Sequence, residues 1–125
     1  MIHVEVKINK QQVTCLVDTG AQLSIISKNA AERCGILNLL DTRFKVDAAG
    51  VGGVRNALGK ILQVEFEFPG YLMPVVLTVF ECGLVNDAEV IIGVDVLTAY
   101  NANIDFKNQC VLFNDEVRVK MVKRE

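Results

Sequence analysis

The stretch that decides the fold is Leu16-Val17-Asp18-Thr19-Gly20-Ala21, in which an acidic residue ends an apolar run and is followed by a hydroxyl and two very small side chains. An ionised carboxylate beside apolar side chains is costly unless hydrogen bonds or a charge compensate it. A tight loop at Gly20 can turn backbone N–H groups toward the carboxylate, and Thr19 can add a hydroxyl donor. The pattern therefore predicts a functional Asp18 at the end of a strand.

The same tripeptide also fits an ordinary turn, in which the Asp side chain accepts a hydrogen bond from its own backbone. Three residues alone are a weak motif. The flanking sequence is more informative, because Cys15-Leu16-Val17 precedes the loop and Leu23-Ser24-Ile25-Ile26 follows it. A plain surface turn does not need apolar approaches on both sides, so the flanks favour a functional loop.

Short strands extend from this loop in both directions. Alternation with a period of two predicts a strand at Ile2–Ile8, and residues 13–17 return after a turn at Asn9-Lys10. Further strands are predicted at residues 23–26, 62–68, 72–80, 90–92, 103–106, 110–113 and 117–121, with short helices capped by Ser27 and Asp95. The fold class is thus mostly β, a closed barrel with one or two short helices.

Length and composition restrict the remaining choices. The 125 residues are 51% hydrophobic, which suits one domain over residues 1–125, with a core at about 2–113 and a C-terminal strand and tail at 114–125. The formal net charge of −2 and the absence of a basic stripe argue against nucleic acid. No stretch approaches the roughly 18 apolar residues of a membrane span. The N-terminus lacks the pattern of a signal peptide.

Cysteine and histidine usage excludes the common metal sites. The chain has four widely spaced cysteines and one histidine, His3, which lies on an alternating strand and is predicted to face solvent. Structural zinc needs four N or S ligands at characteristic spacing. We therefore expect no metal, no cofactor, and reduced thiols in a cytoplasmic or nuclear protein.

Three separated motifs resemble the retropepsins, the aspartic proteases of the retroviral type. Residues 15–22 resemble their active-site turn, residues 90–97 resemble their second signature, and residues 48–53 have the glycine-rich composition of their flap. The resemblance is closest to the retropepsin domain of the Ddi1 (DNA-damage-inducible 1) family. Its further matches are residues 31–36, 40–44, 49–52 and 103–106, so the likeness extends over about residues 2–113.

The resemblance implies an aspartic endopeptidase with Asp18, Thr19 and Gly20 as catalytic residues. Such enzymes use two carboxylates that share one proton. Asp-Thr-Gly occurs once in this chain, so the second Asp18 must come from a second chain and a homodimer is expected. The intersubunit sheet would use residues 2–8 or 117–121, and we favour the C-terminal strand.

The resemblance also implies which residues contact an extended polypeptide substrate: Leu16, Ala21, Gln22, Gly50, Val51, Gly52 and Ile91. Three of these residues have plainer alternatives. Ile91 also fits core packing, and the two glycines also fit an ordinary hairpin. Gln22 stands where retroviral enzymes usually carry an acid, as in the Ddi1 branch, so viral subsite preferences do not transfer directly.

Partners and alternatives follow from the same likeness. The Ddi1 family implies a link to ubiquitin and proteasomal turnover, with ubiquitinated proteins as candidate substrates. Because the chain lacks the ubiquitin-like and ubiquitin-associated domains of full Ddi1 proteins, we expect an excised domain. Two other functions stay open: a catalytically weak peptide-binding and dimerisation module of a ubiquitin shuttle protein, and a retroelement protease.

Overall fold

The computed structural model describes residues 1–44 and 57–123 of the chain. Within these residues the chain forms nine strands and two short α-helices, together with short 3-10 turns. The strands are β1 (Ile2–Ile8), β2 (Gln11–Val17), β3 (Ile25–Ser27), β4 (Ala57–Phe68), β5 (Tyr71–Phe80), β6 (Val90–Ile92), β7 (Asn103–Asp105), β8 (Cys110–Phe113) and β9 (Val117–Val122). The helices are α1 (Lys28–Arg33) and α2 (Val94–Ala99). No helix in the described ranges is both long and apolar enough to cross a membrane.

Six of the strands close into a barrel. The hydrogen-bonded order is β2-β6-β3-β5-β4-β1, and the antiparallel pairing of β1 with β2 closes the ring. β9, β8 and β7 extend the sheet outward from β1 in that order. The mostly β, closed-barrel architecture expected from the sequence is therefore confirmed.

The barrel interior is filled by the alternating apolar positions of its strands. In β1, Val4, Val6 and Ile8 are buried, while Glu5 and Lys7 are exposed. Burial of one such aliphatic side chain contributes about 1.5–3 kcal/mol. The largest fully buried side chains are Phe66, Phe113, Ile8, Ile25, Ile26, Ile61, Met73, Leu77, Ile91, Ile92, Val4 and Val13. The period-two pattern of the sequence thus corresponds directly to the inside and outside of the barrel.

The structure confirms the predicted cap of α1 and contradicts the predicted cap of α2. The Ser27 side chain accepts a hydrogen bond from the Ala30 N–H at 3.2 Å, as an N-cap does. Asp95, in contrast, is not the cap of α2, because the N-cap position belongs to Gly93 and Asp95 lies inside the helix. The prediction for Asp95 was wrong, and its carboxylate instead accepts hydrogen bonds from the hydroxyl and N–H of Ser24 and from the Val96 N–H.

His3 is also not where alternation placed it. The side chain is 6% exposed, although its neighbours on the same face of β1 are open to solvent. His3 pairs with Leu16 on one side and with Val122 on the other. His3 is therefore flanked by a paired strand on each side, and the prediction that it faces solvent is wrong.

The four cysteines differ sharply in their exposure to solvent. Cys15, Cys34 and Cys110 are buried free thiols, and Cys82 is exposed. Burial raises the pKa of the Cys15 and Cys34 thiols above the ordinary range, which keeps them protonated. We expect iodoacetamide at neutral pH to modify the native chain once, at Cys82, and the denatured chain four times, as read by mass spectrometry. Rapid native labelling of Cys15 would contradict this packing.

Candidate active site

The candidate site forms where two parallel strands end side by side. β2 pairs with β6 in parallel, so that Leu16 lies beside Ile91 and Val17 beside Ile92. Asp18 is the first residue beyond β2, and its N–H donates to the Ile92 carbonyl at 3.0 Å. The pairing brings the two motifs, more than seventy residues apart in the sequence, to one edge of the barrel.

Hydrogen bonds within the loop hold the Asp18 side chain. The Gly20 N–H donates to Asp18 Oδ1 at 2.8 Å, and the Ala21 N–H donates to the Asp18 carbonyl at 3.1 Å. The first bond is the turn geometry that the sequence also allowed. Asp18 is half-buried while Thr19 is exposed, so the turn presents the carboxylate and does not enclose it.

Gly20 provides space beside the carboxylate. A Cβ at this position would lie 3.2 Å from Asp18 Oδ1, closer than most side chains tolerate. A larger residue here would require the Asp18 carboxylate to shift by a few tenths of an ångström, and the glycine backbone itself is not left-handed. The structure therefore supports the prediction of a tight loop at Gly20, because the missing side chain leaves space for the Asp18 carboxylate.

A second set of contacts joins this loop to the start of α2. The Val94 N–H donates to the Ala21 carbonyl at 2.8 Å. The buried Ser24 side chain donates to Asp95 Oδ1 at 2.7 Å and accepts from the Gly93 N–H at 2.9 Å. Sequence reasoning did not find this connection. One signal was present, since a lone Ser between Leu and Ile in a buried run must find a hydrogen-bond partner.

An apolar cluster separate from the main core lies beside the loop. Its buried members are Leu16, Ala21, Ile25, Phe80, Ala88 and Ile91, and the partly buried Leu23, Ala57 and Leu84 pack against them. Leu16 and Ile91 are 3% and 1% exposed in the single chain. The accessible part of the cluster therefore comes from its three partly buried members, and a direct substrate contact by Leu16 or Ile91 stays a prediction.

The remaining predicted contact residues fall into two groups. Gln22 is exposed in the loop, and Ala21 is buried and contributes backbone bonds. Gly50, Val51 and Gly52, the predicted flap residues, lie outside the described residues.

The Asp18 loop supplies one of the two carboxyl groups that hydrolysis of a peptide by carboxylates requires. A positioned carboxylate that is open to solvent can act as a general base toward water. Peptide hydrolysis by carboxylates also needs a protonated acid to polarise the scissile carbonyl. Asp95 does not present a second free carboxylate here, because its oxygens accept hydrogen bonds from Ser24 and Val96.

Comparison with known proteins gives the same assignment for most of the chain. The aspartyl protease family model matches residues 1–105. A DNA damage-inducible protein 1 from Phaeosphaeria nodorum is 38% identical over 113 residues, which cover 90% of this chain and 25% of that protein. The UBA domain-containing protein Mud1 from Schizosaccharomyces pombe is 39% identical over 108 residues, 86% of this chain and 31% of that protein.

A solved structure agrees in three dimensions. The retroviral protease-like domain of Ddi1 from Leishmania major superposes with a TM-score of 0.83 at 30% identity, covering 100% of this chain and 98% of that one. The chain spans only about a quarter to a third of the curated relatives named above. The family match, the similar relatives and the shared fold all show that this chain belongs to the aspartyl proteases, as a retropepsin-like domain of the Ddi1 type.

Proposed function

We propose that the chain is a homodimeric aspartic endopeptidase that cleaves extended polypeptides. The observation that carries the proposal is the half-buried Asp18 carboxylate, held at a strand end by the Gly20 N–H. Because Asp-Thr-Gly occurs once in the sequence, the second carboxylate comes from an identical chain. A twofold axis beside the loop places the two acids together.

The proposed mechanism assigns different roles to two chemically identical acids. Two carboxylates about 3 Å apart cannot both be ionised, so they share one proton. The ionised Asp18 takes a proton from water, which attacks the scissile carbonyl, while the protonated Asp18 donates a hydrogen bond to the carbonyl oxygen. Thr19 bonds across the dyad to its symmetry mate, and the space at Gly20 permits the two loops to approach.

The substrate lies as an extended strand next to the loop. Backbone hydrogen bonds hold such a peptide, and alternate side chains enter pockets. We assign backbone and polar contacts to Ala21 and Gln22, apolar pockets to the Leu16 and Ile91 cluster, and the covering flap to Gly50, Val51 and Gly52. Leu23 and Leu84 add the accessible apolar surface of that cluster.

The sheet topology adds a second candidate dimer edge to the one that the sequence favoured. β9 pairs with β8 through residues 117–120, and with β1 only through Met121 and Val122. β7 pairs with β8 and ends the strand order of the described sheet. Unpaired strand edges readily accept a second strand. We therefore propose β7 as an intersubunit strand, and residues 117–121, which the sequence favoured, stay the alternative.

Contacts around β7 support this choice. The turn after β7 is closed by Asp105, whose Oδ1 accepts from the Asn108 N–H at 3.0 Å and whose Oδ2 accepts from Asn108 Nδ2 at 2.7 Å. Phe106 follows directly and is 65% exposed, a large apolar surface for one chain to leave in water. α2 is hydrogen-bonded to the Asp18 loop through Val94 and Ala21, and β7 is the next strand after α2 in the chain.

We expect Phe106→Asp to weaken the dimer at least about tenfold in dissociation constant, which is about 1.4 kcal/mol, because the change places a charge at the intersubunit surface. Sedimentation equilibrium measures the effect. Leu72→Asp is the matched control, since Leu72 is 54% exposed near the β4–β5 turn and should leave the dimer unchanged. Equal dimer constants for both variants would argue against the β7 edge.

Cleavage itself is tested with a library of unstructured peptides and mass spectrometry of the products. The wild-type chain should cut the library, and Asp18→Asn should not. Products that persist in Asp18→Asn would refute the aspartic mechanism. A wild type that binds peptides without cutting them would favour the binding-module alternative.

We also propose that ubiquitinated proteins are among the substrates and that the domain acts in the cytoplasm or nucleus. Support comes from the family resemblance and from a relative whose name records a UBA domain. Cleavage of a ubiquitin-conjugated protein in preference to its unconjugated form, by a longer chain that includes such domains, would test the substrate assignment.

A further inference from the structure

The densest group of side-chain hydrogen bonds near the candidate site involves Ser24 and Asp95, which have no assigned role. The Ser24 hydroxyl donates to Asp95 Oδ1 at 2.7 Å and accepts from the Gly93 N–H at 2.9 Å. The Ser24 N–H donates to Asp95 Oδ2 at 3.1 Å, and the Val96 N–H donates to Asp95 Oδ1 at 2.8 Å. Ser24 is 1% exposed and its bond from the Gly93 N–H is buried, whereas Asp95 reaches the group from an exposed position on α2.

This group joins the two segments that define the site. Ser24 ends the loop that begins at Asp18, and Gly93 and Asp95 lie at the start of α2. Two backbone bonds run between the same segments, from Asp18 N–H to the Ile92 carbonyl and from Val94 N–H to the Ala21 carbonyl. The Ser24–Asp95 contact therefore fixes the far end of the loop, while the Asp18–Ile92 bond fixes its near end.

We infer that Ser24 and Asp95 are positioning residues for the Asp18 dyad. They anchor the exit of the loop to α2, so that the carboxylate stands at the distance from its symmetry mate that proton sharing requires. The inference rests on the proposed protease function, and it adds residues that touch neither the substrate nor the reacting atoms.

The chemistry of the contact explains why the loop would shift without it. Removal of the Ser24 hydroxyl leaves the buried Gly93 N–H without its acceptor and takes one donor from Asp95. A buried donor that loses its partner drives local rearrangement to recover a hydrogen bond. A displacement of about 1 Å in a catalytic group lowers the rate by about a hundredfold, whereas peptide binding depends on many contacts distributed along the cleft.

Ser24→Ala tests the inference, with Ser27→Ala as the matched control. Ser27 is a second buried serine, three positions further on, whose hydroxyl caps α1 and makes no contact with α2 in the described bonds. We expect Ser24→Ala to lower kcat per dimer about 10- to 100-fold while KM changes less than about threefold. Ser27→Ala should keep near-wild-type kcat, and Ser24→Thr, which retains a hydroxyl, should restore most of the lost kcat.

Each outcome decides between positioning and simple packing. Equal losses in Ser24→Ala and Ser27→Ala, no rescue by Ser24→Thr, or a wild-type kcat in Ser24→Ala would overturn the inference. Should Ser24→Ala fail to fold, Asp95→Asn decides by the same kcat criterion, because its amide nitrogen cannot accept from the Ser24 N–H. An active wild type with an inactive Asp18→Asn separates failure of this inference from failure of the proposed protease function.

Discussion

Asp18→Asn is expected to abolish peptide cleavage, with a loss of at least about a thousandfold in kcat, because acid and base catalysis both depend on this carboxyl group. The amide of Asn accepts the same hydrogen bond from the Gly20 N–H, so the loop and the fold should persist. Cleavage of a fluorogenic peptide measures the activity, and sedimentation equilibrium confirms the dimer.

A mixing experiment distinguishes a shared site from two independent ones. Equal amounts of wild-type and Asp18→Asn chains, unfolded together and refolded, should retain about one quarter of the wild-type activity, since random pairing gives that share of fully wild-type dimers. Half of the activity would remain if each chain worked alone. A residual activity of one half would therefore contradict the composite dyad.

The control for this experiment is an acid that the mechanism does not use. Asp115 is exposed in the turn between β8 and β9, and Asp115→Asn keeps the side-chain size while removing one charge. Its mixtures with wild type should show full activity at every ratio. A comparable loss in this variant would indicate a general effect of charge and not a catalytic role for Asp18.

Gly93→Ala is expected to reduce the free energy of unfolding by about 3 kcal/mol and to remove most activity. A Cβ at Gly93 would lie 2.7 Å from the Ala21 carbonyl oxygen and 2.8 Å from the Leu23 carbonyl oxygen. These atoms are backbone, and the Ala21 carbonyl is already bonded to the Val94 N–H, so the loop cannot yield without losing that bond.

Urea denaturation measures the change in stability, and Gly83→Ala provides the comparison. A Cβ at Gly83 meets nothing within 4 Å, so this variant should stay within about 0.5 kcal/mol of wild type. Similar midpoints for the two variants would mean that the loop and α2 do not approach as closely as described. The pair of variants isolates this contact from the general cost of replacing glycine.

Local pattern was sufficient for most of the fold. The alternation of β1 and of the β4–β5 hairpin, and the Ser27 cap, were predicted from residues within a few positions of one another. These features depend on which face of a strand is apolar and on one side chain reaching a nearby N–H. The prediction for the first half of the candidate site, the Asp18 loop, rested on local chemistry of the same kind.

Features that depend on distant residues were missed or mistaken. His3 lies on an alternating strand, yet it is buried where β1 pairs with both β2 and the end of β9. Asp95 is of a residue type that often caps helices, yet its carboxylate binds Ser24, which lies 71 residues away in the sequence. The two partners of each contact lie far apart in the sequence, so no short segment contains both. The residue pattern of a short segment therefore cannot predict these contacts.

The amino-acid order by itself determined the barrel strands, the acidic loop and the presence of one Asp-Thr-Gly, since each follows from the residue types of a short segment. Tertiary structure alone decided which strand ends the sheet of the described residues and which side chains bond the loop to α2. The physical reason is that sheet edges and buried hydrogen bonds exist only after distant segments pair, as β2 and β6 do beside Asp18.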